Sequence, residues 1–551
     1  MQNEMKHFFF NVNGKFGRGP YAKPDYPLLR DLLSEMDRLG VWQSIACHTH
    51  ARDLNPTYGN KATLEAIKSL PEANGRILPS LAATPVMSVS RGELDFLIEC
   101  LRDERSNVIE LFPTTNRFRL IEIERILVSV EQYRPVIMID VTEINLVTDI
   151  EDLVELANRF RNLKFVLRQA MWEHFSRVYD AMLRTTNVYL DSSWLHTRGG
   201  INIVCNMAGK ERLLFGLGPK SHAGAAIGAL VYSGESEEQR QRIARSNFLD
   251  ILPEGKLKER FASEAKSVPN RVANSFWNTF LAGEGVRDTL VIDAHGHTGP
   301  INVGWYMPET DAREQVTILE AIFKKFGYSM FISSSCFANF GDPIEGNKET
   351  ERLLAGKSIF RGYLAVNPFY ADEYTEALMD GFFDRGYFVG FKFLPDYLKV
   401  SVKDKRWRGA LEYANRYHLP LLVHTWDGPY DSPAQLAEVA VNYPDATFLF
   451  GHTGGGEAGR RECEAISQDP KYANCVFEFC GSFCNNVEWP ETLKLIDHKR
   501  VVFGTDTDGQ DVGWELGRLL SMDIDDGKLT DILGRNMKAI LERSKKFKTF
   551  L

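Results

Sequence analysis

Nowhere in its 551 residues does the chain hold an apolar run near the ~20 residues needed to span a bilayer, so no membrane helix is predicted. Cysteine is scarce as well. Eight in so long a chain make no disulfide framework, and the one close group, Cys475, Cys480 and Cys484, fits no zinc-knuckle spacing, so buried free thiols are expected. Basic stretches with interleaved aromatics are missing: 65 Lys and Arg face 74 Asp and Glu, the net charge of −9 is spread along the chain, and no nucleic-acid partner is predicted. The opening residues lack a charged-then-long-apolar leader pattern, so the run Phe8-Phe9-Phe10 reads as a first strand and the cytoplasm is the expected location. What remains, 44% hydrophobic and 25% charged residues, is the composition of a globular protein too long for one core, since single cores stop growing at roughly 250–300 residues.

Short apolar runs alternate with amphipathic segments throughout. In the first half, residues 8–12, 44–47, 78–83, 108–112, 136–140, 165–167, 188–191 and 213–216 read as strands, with helical patterns such as 27–39 and 152–160 between them. Residues 253–286 break the alternation and read as a helical connector. A second cycle follows, at 290–294, 330–333, 363–366, 389–393, 421–424, 448–451, 476–480 and 501–504. Strands separated by helices pair in parallel, and eight of them close on themselves. The predicted fold is therefore α/β, two tandem (β/α)8 TIM barrels, over residues 1–260 and 290–551 with the connector at 261–289. Residue types recur in register between the halves: Asn11 with His295, Pro85 with Pro368, Pro113 with Pro395, Asp140 with His424, Arg168 with His452 and Asn247 with Asn536, always 282 to 289 residues apart. Such a constant offset predicts a duplication.

Active sites of these barrels lie at the carboxyl ends of the strands. There the second half carries His295 and His297, Lys392, His424, His452 and Asp506. His295 and His297 are two apart, so on a strand they face the same side and can converge on one ion. Imidazoles and a carboxylate around an open position suit one divalent transition metal, most often zinc.

The motifs Asp293-Ala294-His295-Gly296-His297, Val423-His424-Thr425-Trp426-Asp427, Gly451-His452-Thr453-Gly454-Gly455-Gly456 and Phe503-Gly504-Thr505-Asp506 resemble the amidohydrolase superfamily. Within it they are most similar to the branch that includes aminocarboxymuconate-semialdehyde decarboxylase. The resemblance implies that His295, His297, His424 and Asp506 bind one metal, with His452 beside it as general acid or base and Asp506 sharing the proton handling. Lys392 is a candidate substrate contact, or an ion pair with Glu478. In some superfamily members a lysine at this strand end is carboxylated. Trp426 is a candidate pocket wall, and Asp427 a candidate acceptor that fixes an imidazole tautomer. His418 and His498 read as ordinary structural histidines.

At the matching positions the first half carries Asn11, Asn13, Asp140, Arg168 and Leu217, a set that offers a cation little, so no catalytic metal is expected there. Cys47-His48-Thr49-His50 repeats the one-residue spacing without partner ligands. Two roles stay open for this half: a covalent stand-in for the second subunit of a dimer, with Arg198 or Arg168 lent to the site, or a ligand module around Glu110, Asp140, Glu143 and Arg168. The expected function is a metal-dependent hydrolase acting by metal-bound hydroxide on a small carbonyl compound such as an amide or lactone. The alternatives are a non-oxidative decarboxylase of a small carboxylate and a ligand-binding protein without turnover. The partner expected is a small-molecule substrate, and the chain is expected as a monomer or homodimer.

Overall fold

Strands covered on both faces need apolar residues at nearly every position, and the strands of this chain are of that kind. The computed structural model describes residues 8–20, 24–90, 92–263, 268, 270–299, 311–481 and 488–547. It divides into two units, Met1–Val272 and Ala273–Leu551, a boundary inside the expected connector.

In the first unit the strands are β1 (Phe9–Asn11), β2 (Lys15–Phe16), β3 (Val41–His48), β4 (Ile77–Pro79), β5 (Leu81–Ala82), β6 (Val108–Leu111), β7 (Val136–Asp140), β8 (Lys164–Arg168), β9 (Val188–Asp191) and β10 (Leu213–Leu214). β1, β2 and β4 pair in parallel with β3, and β5 to β10 form a second parallel sheet in sequence order. Only Ser80 separates β4 from β5, and Val12 N donates to Phe215 O at 3.0 Å.

The second unit has β11 (Ile292–Thr298), β12 (Met330–Ser335), β13 (Phe360–Ala365), β14 (Phe388–Phe393), β15 (Pro420–His424), β16 (Thr447–Gly451), β17 (Cys475–Phe479) and β18 (Val501–Phe503). They form one eight-stranded parallel sheet in sequence order. Asp506 N donates to His295 O at 2.8 Å and Thr505 N to the same oxygen at 3.3 Å, which brings the chain beyond β18 back to β11 and closes a barrel. Its interior cluster includes Ile292, Ile332, Tyr363, Val389, Leu422, Leu449, Val476 and Val502. Because strand side chains alternate, the same face carries His424 two positions beyond Leu422, Glu478 and Cys480 beyond Val476, and Asp506 four beyond Val502. An apolar floor thus gives way to polar groups at the carboxyl ends.

Several backbone-fixing devices occur in both units. Asn60 donates to Ala82 O and accepts from Ala82 N, as Asn347 does with Ala365. The amide of Asn187 caps three carbonyls, and so does that of Asn474. Left-handed Arg117 and Arg134 match left-handed Lys399 and His418, and π-helical turns Arg242–Ser246 and Asp531–Arg535 each precede an asparagine.

Among the described residues no helix is long and apolar enough to cross a membrane. The cysteines described are free and buried; Cys484 lies outside the described residues.

Candidate metal centre

Two strand ends, those of β11 and β18, bring the central donors together. Asp506 Oδ1 lies 3.0 Å from His297 Nε2 and 3.5 Å from His295 Nε2. Two imidazoles and a carboxylate whose donor atoms lie within 4.8 Å of one another fit a single divalent ion. His424 borders them through the ring of His452, whose centroid is 5.0 Å from those of both His295 and His424. Asp506 and His452 adopt the left-handed conformation, φ 60° and 61°, and turn the chain at the strand ends.

Outer partners fix the imidazoles. His424 Nδ1 meets Asp431 Oδ2 at 2.7 Å, and His297 Nδ1 meets Ser334 Oγ at 3.2 Å and Asn339 Nδ2 at 3.4 Å. Asp431, and not Asp427, is therefore the tautomer-fixing acceptor; Asp427 is exposed beside Gly456, where a Cβ would lie 2.5 Å from its Oδ2. Because such partners orient the ring and raise its basicity, Asp431→Asn is expected to weaken metal affinity about 10- to 100-fold, measured by competition with a chelating dye. Unchanged affinity would remove Asp431 from the site.

Lys392 stands at the end of β14, where the sequence put it. Its ammonium contacts His295 Nε2 at 2.6 Å instead of pairing directly with Glu478, and burial lowers its pKa to about 8. Glu478 lies beneath the histidines, with Oε2 3.2 Å from His295 Nδ1 and accepting from His452 N at 3.0 Å; burial raises its pKa to about 8. Burial, reinforced by the neighbouring His424, pushes His452 down to about 3, so the ring is neutral at pH 7, a larger shift than its expected role required. For Asp506 burial acts upward, but the hydrogen bond and charge of His297 outweigh it and hold the carboxylate at about 2. Trp426 is half-buried, its ring 5.9 Å from that of His424 and nearly parallel, where a pocket wall belongs. Sequence reading named Glu478 only as an ion-pair partner for Lys392 and not as a neighbour of His295 and His452, missed Asp431, and treated Cys480 only as a buried thiol.

Among the described residues, the first unit holds no such donor set. Arg168 pairs with Glu110 and, at 2.8 Å, with Asp140, and Lys15 pairs with Asp140, all beneath or near full burial except Lys15. Glu143 is engaged apart from them, accepting from Thr115 N and Oγ1. Arg198 is buried. His48 and His50 stack on each other, with ring centroids 4.2 Å apart.

Residues 346–543 match the family model described as amidohydrolase. Over this stretch, about a third of its length, the chain is similar to that family. The match takes in Lys392, His424, His452 and Asp506, whereas the His295/His297 strand of the amidohydrolase unit precedes it. None of the curated proteins compared matches the chain. Among solved structures, it is similar to 5-carboxyvanillate decarboxylase from Sphingomonas paucimobilis at 15% identity, over 40% of this chain and 81% of that one, with a TM-score of 0.33. It is also similar to 2,6-dihydroxybenzoate decarboxylase from Rhizobium (14% identity, 47% and 99% coverage, TM-score 0.34). A third is the manganese-bound 5-carboxyvanillate decarboxylase from Novosphingobium aromaticivorans (11% identity, 45% and 97% coverage, TM-score 0.36).

Proposed function

We propose that the amidohydrolase unit is a metal-dependent, non-oxidative decarboxylase of a small, planar, conjugated carboxylic acid. The observation that carries this reading is the succession of rings leading to the donor cluster: Phe340 to Tyr397 at 5.6 Å, Tyr397 to His424 at 5.1 Å, and His424 to Trp426 at 5.9 Å. Phe340 and Tyr397 are about half exposed on the segments that follow β12 and β14. Exposed rings beside a polar centre suit a flat, conjugated substrate, whose π-system accepts the electron pair released when carbon dioxide leaves.

His295, His297 and Asp506, with His424 closing the set, would hold the divalent ion. Such an ion polarises bound oxygen atoms and offsets their negative charge. Lys392 adds a buried cation next to the ligands, which favours a carboxylate over a neutral group. Trp426 and Tyr397 orient the ring plane. In the reaction the bond between the conjugated carbon and the carboxyl carbon breaks, the electron pair stays on the conjugated carbon, and a proton takes the vacated place. That proton comes from solvent, and we assign its relay to His452, whose ring lies beside those of His424 and Trp426.

Hydrolysis of a small amide or lactone is the second reading. The neutral state of His452 favours it, since a base for water must be unprotonated. Both are tested by incubating the metal-loaded protein in heavy water with hydroxylated aromatic acids and, separately, with aryl lactones. Carbon dioxide release with one solvent deuteron on the vacated carbon is expected. Lactone opening alone would transfer the assignment to hydrolysis, and no turnover of either class would favour a binding protein.

We also infer that the first unit is a second copy of the same barrel that has lost its metal. Support comes from the paired asparagine clamps, left-handed residues and π-helical turns, together with β1, β3 to β10 and the Val12–Phe215 bond that follow the order of the second unit. On this reading residues 1–260 and 290–551 are the two copies, and Arg168 stands where His452 stands in the other.

A further inference from the structure

On the floor side of the His295 ring lies a cluster that the decarboxylase reading leaves without a role. Cys480 Sγ is 3.2 Å from His295 Nδ1, 3.1 Å from His452 Nδ1 and 2.9 Å from Glu478 Oε2. The Glu478 oxygen is itself 3.2 Å from His295 Nδ1. All four residues are buried, and their donor atoms lie within 4.8 Å of one another. The backbone is shaped around them: a Cβ on Gly481 would lie 2.6 Å from His452 Nδ1, and one on Gly504 would lie 2.0 Å from Glu478 Oε1.

Hydrogen bonds alone do not satisfy this group. Glu478 Oε2 is shared among Cys480, His452 N and His295, while Oε1 of the same carboxyl group is buried with no hydrogen-bond partner, an arrangement that is costly unless another charge compensates the group. A sulfur, two imidazole nitrogens and a carboxylate oxygen are the donors of a four-coordinate thiophilic ion. A tetrahedral zinc with bonds of about 2.0–2.3 Å has donor atoms about 3.3–3.8 Å apart, so the observed spacings need to open by only a few tenths of an ångström.

We propose that His295 Nδ1, His452 Nδ1, Glu478 and Cys480 form a second, inner metal site of the amidohydrolase unit that takes zinc or a similar thiophilic divalent ion. The inference rests on the metal-centre reading through the shared His295. That ring presents Nε2 to Asp506 and Lys392 and Nδ1 to Cys480, so when both sites are filled it bridges them as an imidazolate. Binding releases the thiol proton of Cys480, the carboxyl proton of Glu478 and, when both sites are filled, the ring proton of His295, and no oxidant or reductant takes part. The inner ion also fixes the His452 tautomer, leaving the proton on Nε2, at the opposite edge of the ring from Cys480.

Cobalt(II) reports on thiolate ligation directly. The metal-stripped full-length protein loaded with excess cobalt is expected to bind about two ions per chain and to show a near-ultraviolet thiolate-to-cobalt absorption band. Cys480→Ser is expected to lose the band and about one ion while keeping the other. His297→Ala, which touches only the outer donors, is expected to keep the band, and guards against misreading a Cys480 variant that fails to fold. Cobalt bound without a thiolate band, or a band unchanged in Cys480→Ser, would overturn the inner site and leave the outer one standing. Cobalt binding to neither site would overturn both.

Discussion

Asp506→Ala is expected to lower kcat/KM on the decarboxylated substrate by about 10³-fold or more, equivalent to roughly 4 kcal/mol of transition-state stabilisation. Among the described residues the carboxylate is the one anionic group facing both His295 Nε2 and His297 Nε2, and it is held ionised at every working pH. Its removal leaves two imidazoles and no carboxylate facing both of them to offset a divalent ion. Metal content measured on the same preparation should fall with activity. A variant that keeps both would show that Asp506 only shapes the backbone, where its left-handed conformation ends the strand region.

The largest expected change in stability lies in the first unit. Arg168 is fully buried, pairs with Glu110 and Asp140, and donates to Val12 O at 3.1 Å. Burial works against its charge, yet Asp140 and Glu110 outweigh this and raise its pKa, while Arg168 and Lys15 hold Asp140 down against burial. Replacing only the arginine strands buried carboxylates, so Arg168→Leu is expected to cost about 3–5 kcal/mol, read from denaturant unfolding of the full chain. Adding Glu110→Gln and Asp140→Asn to that variant should recover a large part of the loss. No recovery would mean that the network acts by packing and not by charge balance.

Much of this was legible in the sequence, for identifiable reasons. Parallel strands covered on both faces leave unbroken apolar runs, and His295, His424, His452 and Asp506 stand directly after such runs. The strand at 78–83 was read as one but is two, split at Ser80, and β2, only two residues long, carries too little pattern to detect. Glu478 and Cys480 were readable in principle: they continue the inward alternation begun by Val476, a period-two signal hidden because the neighbouring Phe477 and Phe479 are apolar as well. Asp431 was not readable. It lies seven residues beyond His424, and only the path of the intervening chain returns it to the imidazole, while Asp427, nearer in sequence, is carried outward. Lys392 was placed on the right strand end, but its partner depended on which imidazole nitrogen faced it, a matter of side-chain rotation that strand spacing leaves open.

The Lys15–Asp140–Arg168 arrangement has a bearing on supply. In the first unit the positive charge that balances the buried acids is covalently part of the polymer, so it is present from the moment the chain folds and no chelator can withdraw it. On the proposed reading, the set His295, His297 and Asp506 adds to the covalent charge of Lys392 an ion drawn from the surrounding solution. One half of this chain is therefore electrostatically finished at synthesis, while the other stays answerable to the ions of its surroundings.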